Sequence, residues 1–323
     1  MKSKITIITV LMLVLGIFTL SGGAQVKNPD TFNFLWTSDI RTLDPASVTS
    51  TPGSYPAYNC YERLVNFDGA KTSEFVPQLA TKVPSLENGL IQENEDGSVT
   101  YIFPIREGVN FHKVGVKKDD GSVGWEKYDE LSENEKANIA AGYGELTPED
   151  VKYSLLRAML QGNSHMSNAL TAAFTGNKYS NVEEMATGMA GVEEFSEVDE
   201  STLIEVFNTL SNQIEIDSGE VHITISEPFP ATVGLMALPF GQSILDKEWS
   251  INNGAWPGTA ESWIDYHKVT LEEDPLFQKE NGTGPFQVEK WDRAEKEIVF
   301  EKFEGYWREP ASLEKVRIRS VTE

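Results

Sequence analysis

Apolar side chains alternate over residues 32–36, and again at Val99, Tyr101 and Phe103 after the Asp96-Gly97 pair, so both stretches predict strands, the second entered through a tight hairpin turn. From residue 146 the spacing changes. Val151, Leu155, Ala158 and Met159 fall at i, i+4, i+7 and i+8, the apolar stripe of a helix facing a core. Its entrance is fully specified: Thr147 can cap the free amides, Pro148 needs no N–H at the first helical position, and Glu149 and Asp150 set negative charge against the positive helix end. Further strands are predicted at 203–207, 221–225, 286–291, 298–302 and 315–320, with a short helix over 231–237 after Pro228 and Pro230 interrupt the chain. The stretch 117–140 is polar and poor in large aliphatics, which predicts a surface insertion with a short helix. Strands mixed with helices, and no internal repeat, predict an α/β or α+β chain of two lobes.

The N-terminus changes the compartment. Lys2 and Lys4 precede an uncharged apolar run over 5–20 and the small residues Ser21, Gly22, Gly23 and Ala24, the pattern of a signal peptide over 1–24 cleaved after Ala24. At about 1.5 Å per residue the run spans roughly 24 Å, short of the roughly 30 Å of a bilayer core, so an exported protein is expected rather than the alternative, a retained anchor. No cysteine stands at the exit to carry a lipid, which predicts a periplasmic or otherwise extracytoplasmic protein. The formal charge of the chain is -23, and removal of the signal leaves 25 basic against 50 acidic residues, a surface that repels nucleic acid and anionic lipid. Cys60 is the sole cysteine, which excludes an intrachain disulfide and thiolate metal clusters and predicts a small buried hydrophobe.

Candidate chemistry is sparse. His112, His165, His222 and His267 are scattered, with no zinc-helix spacing, so neither a metal site nor a cofactor is expected. There is no phosphate loop, residues 241–245 lack the second glycine of a nucleophile elbow, and no carboxylate pair stands out, so no catalytic residue is assigned. Trp249, Trp256 and Trp263 recur every seven residues, but Pro257 and Gly258 interrupt any helix that would align them, and core packing is expected of each.

Four segments in order carry a resemblance. They are TSDIRTLDPAS at 37–47 with the aromatic-rich YNCYERLV at 58–65, YIFPIREGVNFH at 101–112, LTPEDVKYS at 146–154, and GTGPF at 282–286 with EGYW at 304–307. Together they resemble the bacterial extracellular solute-binding proteins of family 5, the oligopeptide- and dipeptide-binding components of ABC importers, over about 32–321. The resemblance implies an α/β, periplasmic-binding-protein-like fold (type II, cluster C-like), in which two lobes close over a solute and the closed form docks on the permease. It implies a first lobe begun at 25–55, a subdomain inserted over 56–145, and the remainder of the first lobe at 146–323. Family members continue beyond the segment matching 316–321 into a second large lobe, so the resemblance also implies a chain ending near the hinge, with the second lobe missing. The acidic residue that grips a peptide amino terminus lies in that lobe and cannot be placed here. By position, Ser38, Asp39, Ile40 and Arg41 match a ligand-facing loop after the first strand, and Leu238, Pro239, Phe240 and Gly241 match a second cleft-lining segment. The expected ligand is an oligopeptide or an oligosaccharide, the expected partners are permease subunits, and the protein is expected to be a monomer. Two other readings stay open: a secreted enzyme acting on carbohydrate or peptide, and a truncated remnant unable to bind.

Overall fold

A computed structural model describes residues 27–227 and 231–321; the expected signal at 1–24, and Pro228 and Pro230, lie outside them. The first alternating stretch forms β1 (Thr31–Trp36), followed by α1 (Ser54–Asn59), the hairpin of β2 (Val65–Phe67) and β3 (Phe75–Pro77), and the hairpin of β4 (Ile91–Glu93) and β5 (Val99–Pro104). The polar stretch expected to hold only a short helix is more ordered than that. A hairpin of β6 (Lys113–Lys117) and β7 (Val123–Lys127) precedes α2 (Glu133–Lys136), because the turn residues Asp120 and Gly121 outweigh the shortage of aliphatics.

The helix predicted from Thr147 is α3 (Pro148–Gln161). Thr147 Oγ1 accepts from Asp150 N, the Asp150 carboxylate accepts from Thr147 N at 2.8 Å, and Gly162 closes the helix in the left-handed region at φ 65°. The predicted stripe is buried, and so are Tyr153, Leu156, Arg157 and Gln161 on other sides of the helix. The reason is tertiary: α3 is enclosed by α4 (His165–Phe174) and, beyond α5 (Val182–Ala190), by α6 (Glu200–Asn212) and the strands β8 (Ile214–Asp217) and β9 (Glu220–Ile225). Residues 203–207, expected as a strand, lie within α6. Asp199 caps that helix through Thr202 N, and Leu203, Val206, Phe207 and Leu210 keep a helical spacing that the β-branched residues in a five-residue window concealed.

The chain continues through α7 (Thr232–Leu235) and α8 (Lys247–Asn252) to β10 (Phe286–Asp292), β11 (Glu297–Lys302) and β12 (Lys315–Ser320). Two four-stranded sheets result. The first has the order β1-β12-β11-β10, with β1 parallel to β12 from Thr31 opposite Lys315 to Trp36 opposite Ser320. The second has the order β4-β5-β9-β8, all antiparallel, so β5 pairs with β9 across the boundary expected at residue 145. One core lies between the second sheet and α3 to α6 and includes Trp256 and Trp263; a second joins the first sheet to Cys60, Tyr61 and Trp249.

The N-termini of α3 and α8 meet through two buried carboxyls. Asp150 Oδ1 accepts from Lys247 N at 2.8 Å, and Asp246 Oδ1 accepts from Trp249 N at 2.8 Å, while Asp246 Oδ2 has no partner. Burial pushes Asp150 up to about 6, and burial with the neighbouring Asp150 charge pushes Asp246 well above its ordinary range. Both pKa values are raised on folding, so this pair favours the native state most below about pH 4 and progressively less as the pH rises. Asp246→Asn keeps a good helix cap without the charge and is expected to stabilise the protein at pH 7 by about 1 kcal/mol, with a smaller gain at pH 4. Urea unfolding at the two pH values measures the difference.

Candidate functional site

The loop after β1 brings Ser38, Asp39, Ile40 and Arg41 to one hollow of about 460 Å³, which Ser50, Pro52, Leu271, Glu272 and Arg293 complete. Ser38, Asp39 and Arg41 are exposed, whereas Ile40 is buried in the core beside the first sheet and forms the floor. Acidic Asp39 and Glu272 and basic Arg41 and Arg293 thus share one rim. The Arg293 guanidinium is positioned by aromatic faces, 4.7 Å from the Phe277 ring centre and 5.7 Å from that of Trp291.

A second hollow, of about 380 Å³, adjoins the first through Ser50, which lines both. Its wall carries the hydroxyls of Thr49, Thr51 and Ser54, the rings of Tyr58 and Phe240, and His165 and Met166. Of the segment 238–241 only Phe240 reaches this space. Leu238 packs against the larger core, Pro239 is buried, and Gly241 is so tightly enclosed that a Cβ there would lie 2.9 Å from Ala158 Cβ and 2.9 Å from Ser167 Oγ. The residues at 48–54, Tyr58, Glu272 and Arg293 were not singled out by sequence as facing this space. The hydroxyl-rich run after the LDP segment was a usable signal for the first of these, while Glu272 and Arg293 carry no local one.

Both hollows are fixed to α3 by one ionic network. Asp44 caps the single turn Pro45–Ser47 through Ala46 N at 3.0 Å and receives both Arg157 nitrogens, Nη1 at 3.0 Å and Nη2 at 2.5 Å. Asp274, two residues beyond the wall residue Glu272, accepts from Ser47 Oγ at 3.1 Å and Gln161 Nε2 at 3.3 Å and lies 3.7 Å from Arg157 Nη2. Burial alone would raise Asp44, but the charge and hydrogen bonds of Arg157 hold it at about 2; burial and the Asp44 charge push Asp274 up to about 7. The walls at 48–52 and 271–272 are therefore held by the same guanidinium.

Parts of the segments at 58–65, 101–112, 282–286 and 304–307 meet elsewhere, in buried polar scaffolding. Glu62 accepts from Gln78 Nε2, Thr283 Oγ1, Tyr306 OH and Trp307 Nε1 at 2.7 to 3.1 Å. His112 Nε2 donates to Gly284 O at 2.9 Å, and Nδ1 lies 2.5 Å from Glu280 Oε1. Burial opposes the Glu280 charge, but His112 and Lys113 hold it at about 2. These contacts fix the register of the fold, while Ser38 to Arg41 and Tyr58, from the segments at 37–47 and 58–65, reach the hollows. Among the described residues, no group of three or more His, Cys, Asp or Glu is placed to hold a metal ion, and no helix is long and apolar enough to cross a membrane.

Solved structures share this architecture. A periplasmic binding protein associated with an ABC transporter, DppA from Helicobacter pylori in complex with the peptide STSA, matches 90% of the chain at 22% identity and a TM-score of 0.50. OppA from Listeria monocytogenes bound to peptide matches 91% at 15% identity and a TM-score of 0.54, and the pheromone receptor PrgZ matches 91% at 15% identity and 0.55. The likeness defines the class of fold, the α/β fold of type II periplasmic binding proteins. The chain spans 42% of the length of the first of these structures and 43% of the other two. A sequence search among curated proteins returns no match. Residues 74–323 match the family described as bacterial extracellular solute-binding proteins, family 5 Middle. The chain belongs to that family.

Proposed function

We propose that this protein captures a peptide-like solute outside the cytoplasm, for delivery to the permease of an ABC importer, and that the two hollows joined at Ser50 are its contact surface. The observation that carries this reading is the mixed rim of the larger hollow. Two carboxylates and two guanidiniums around about 460 Å³ suit a group bearing both an ammonium and a carboxylate, or the alternating dipoles of an extended backbone. The neighbouring hollow, walled by hydroxyls and by the rings of Tyr58 and Phe240, suits a side chain. Binding without turnover fits the family, whose description is of solute-binding proteins.

Thermal or urea unfolding of the full chain against panels of short peptides and oligosaccharides tests the proposal. A ligand of this site at 100 times its Kd is expected to stabilise the protein by about 2.7 kcal/mol. Arg41→Ala and Phe240→Ala, one from each hollow, are expected to weaken its binding about tenfold, or about 1.4 kcal/mol each. Stabilisation by oligosaccharides alone reassigns the solute class; indifference to both panels, or release of cleavage products, overturns the proposal.

A further inference from the structure

A third hollow, of about 170 Å³, shares no lining residue with the two described above, and all its walls come from residues 149–258. Two helices supply it at one-turn spacing: α3 gives Lys152 and Leu156, and α6 gives Phe207 and Ser211. Its back is aromatic. Trp256 is buried and stacked on Tyr153, with ring centres 5.6 Å apart at 11°, and Phe207 meets Trp256 at 72° and 5.8 Å. Trp256 Nε1 already donates to Thr259 O, and Tyr153 OH to Trp256 O, so these rings offer the hollow only carbon. Phe207 and Trp256 form a corner in which a further ring can stack on one and meet the other edge-on, and Leu156 and Ile216 close it with aliphatic carbon. A cavity of about 150 Å³ lined by such groups takes benzene.

The rim carries both signs of charge. Glu149 and Lys152 stand three residues apart on α3, a spacing at which the two can pair, yet among the described residues they form no ion pair with each other or with any other side chain. Lys247, also on the rim, is 3.5 Å from Glu248. Burial pushes the Lys152 ammonium below its ordinary range, and the charge of Glu215 offsets this only in part, so a carboxylate placed beside it restores what burial removes. We infer that this hollow is a separate site for a free aromatic amino acid, phenylalanine or tyrosine, whose ring enters the corner between Phe207 and Trp256 while its carboxylate meets Lys152 and its ammonium meets Glu149. The two charged groups of an α-amino acid hang from one carbon, and residues three apart on a helix hold their Cβ atoms about 5 to 6 Å apart, so one head group reaches both. A single ring suits the volume, and the site stands whether or not the larger hollows take peptide.

Titration calorimetry of the full chain with L-phenylalanine reads the site. Saturable binding is expected with a Kd of about 1 mM or tighter. Phenylpropionate, which lacks the ammonium, phenethylamine, which lacks the carboxylate, and alanine, which lacks the ring, are each expected to bind at least about fivefold more weakly. Lys152→Met and Phe207→Ala are expected to weaken phenylalanine at least about tenfold. Circular dichroism checks that each folds, and Glu149→Gln, at an exposed position, replaces whichever does not. No saturation at ten times the expected Kd overturns the inference, as does an analogue lacking either charge that binds as tightly as phenylalanine. Binding that survives Lys152→Met but is lost in Arg41→Ala also overturns it, since the amino acid then sits in the hollow at 38–41, and the proposed peptide site is left standing.

Discussion

Replacement of Arg157 by alanine is expected to cost about 3 to 5 kcal/mol, a third or more of the stability of an ordinary domain, and to leave little folded protein at neutral pH. The guanidinium is buried between Asp44 and Asp274, and both its outer nitrogens bond to Asp44. Without it two carboxyls face each other in a dry site, and each must take up a proton to remain there. The variant should therefore regain stability as the pH falls toward about 4, where the unfolded carboxyls also hold their protons. In the wild type the two acids act in opposite directions. Asp44, held at about 2, contributes stability that is present above about pH 4 and lost as the pH falls through 2. Asp274, raised to about 7, favours the native state below about pH 4 and loses that contribution as the pH rises through 7. Asp274→Asn is expected to flatten the dependence between pH 4 and 7 while keeping an acceptor for Leu276 N. Urea unfolding at pH 4, 5 and 7 separates these cases; an Arg157→Ala protein within about 1 kcal/mol of wild type at pH 7 would show that the network does not anchor the walls.

The second large effect is expected at Gly282. A Cβ built there lies 1.9 Å from Cys60 O and 2.8 Å from Cys60 C, and one at Gly284 lies 2.4 Å from Asn59 O. These neighbours are backbone atoms and cannot rotate away, and the amide of Gly284 already donates to Cys60 O at 2.9 Å. Gly282→Ala must separate the GTGPF segment from the end of α1 and with it loosen Glu280 from His112; a loss of about 3 kcal/mol or more follows. Gly234→Ala is the comparison, since its nearest neighbour at 3.3 Å is the tip of the Phe75 ring, which can yield. A Gly282→Ala protein that melts within a degree or two of wild type would contradict this account.

Both positions mark the boundary of what the sequence discloses. The cap at Thr147, the hairpin before Val99 and the last three strands are local: their donors, acceptors and apolar spacings lie within a few residues, so they can be read before the chain folds. α6 departs from the strand expected at 203–207 because five residues do not distinguish a short strand from the middle of a thirteen-residue helix. The pairing of Asp44 with Arg157 joins residues 113 positions apart, and that of His112 with Glu280 spans 168; no periodicity announces either. The candidate site divides likewise. The loop at 38–41 is reached only through the resemblance, by its position after the first strand; Glu272 and Arg293 enter the same rim from distant segments, and the enclosure of Gly241 against Ala158 and Ser167 depends on how α3 and α4 pack beneath it.

The parallel pairing of β1 with β12 sets an order of assembly. The second sheet closes once residue 225 is available, and its contacts can form while the chain is still being made. The first sheet cannot, because its outer strand waits for a neighbour at Lys315–Ser320, across nearly the whole sequence, and closing so long a loop is slow. Until then TFNFLW has no partner on either side, so the newly made chain passes through a stage in which its stickiest segment is also its least protected, and chaperoning is needed most at that stage.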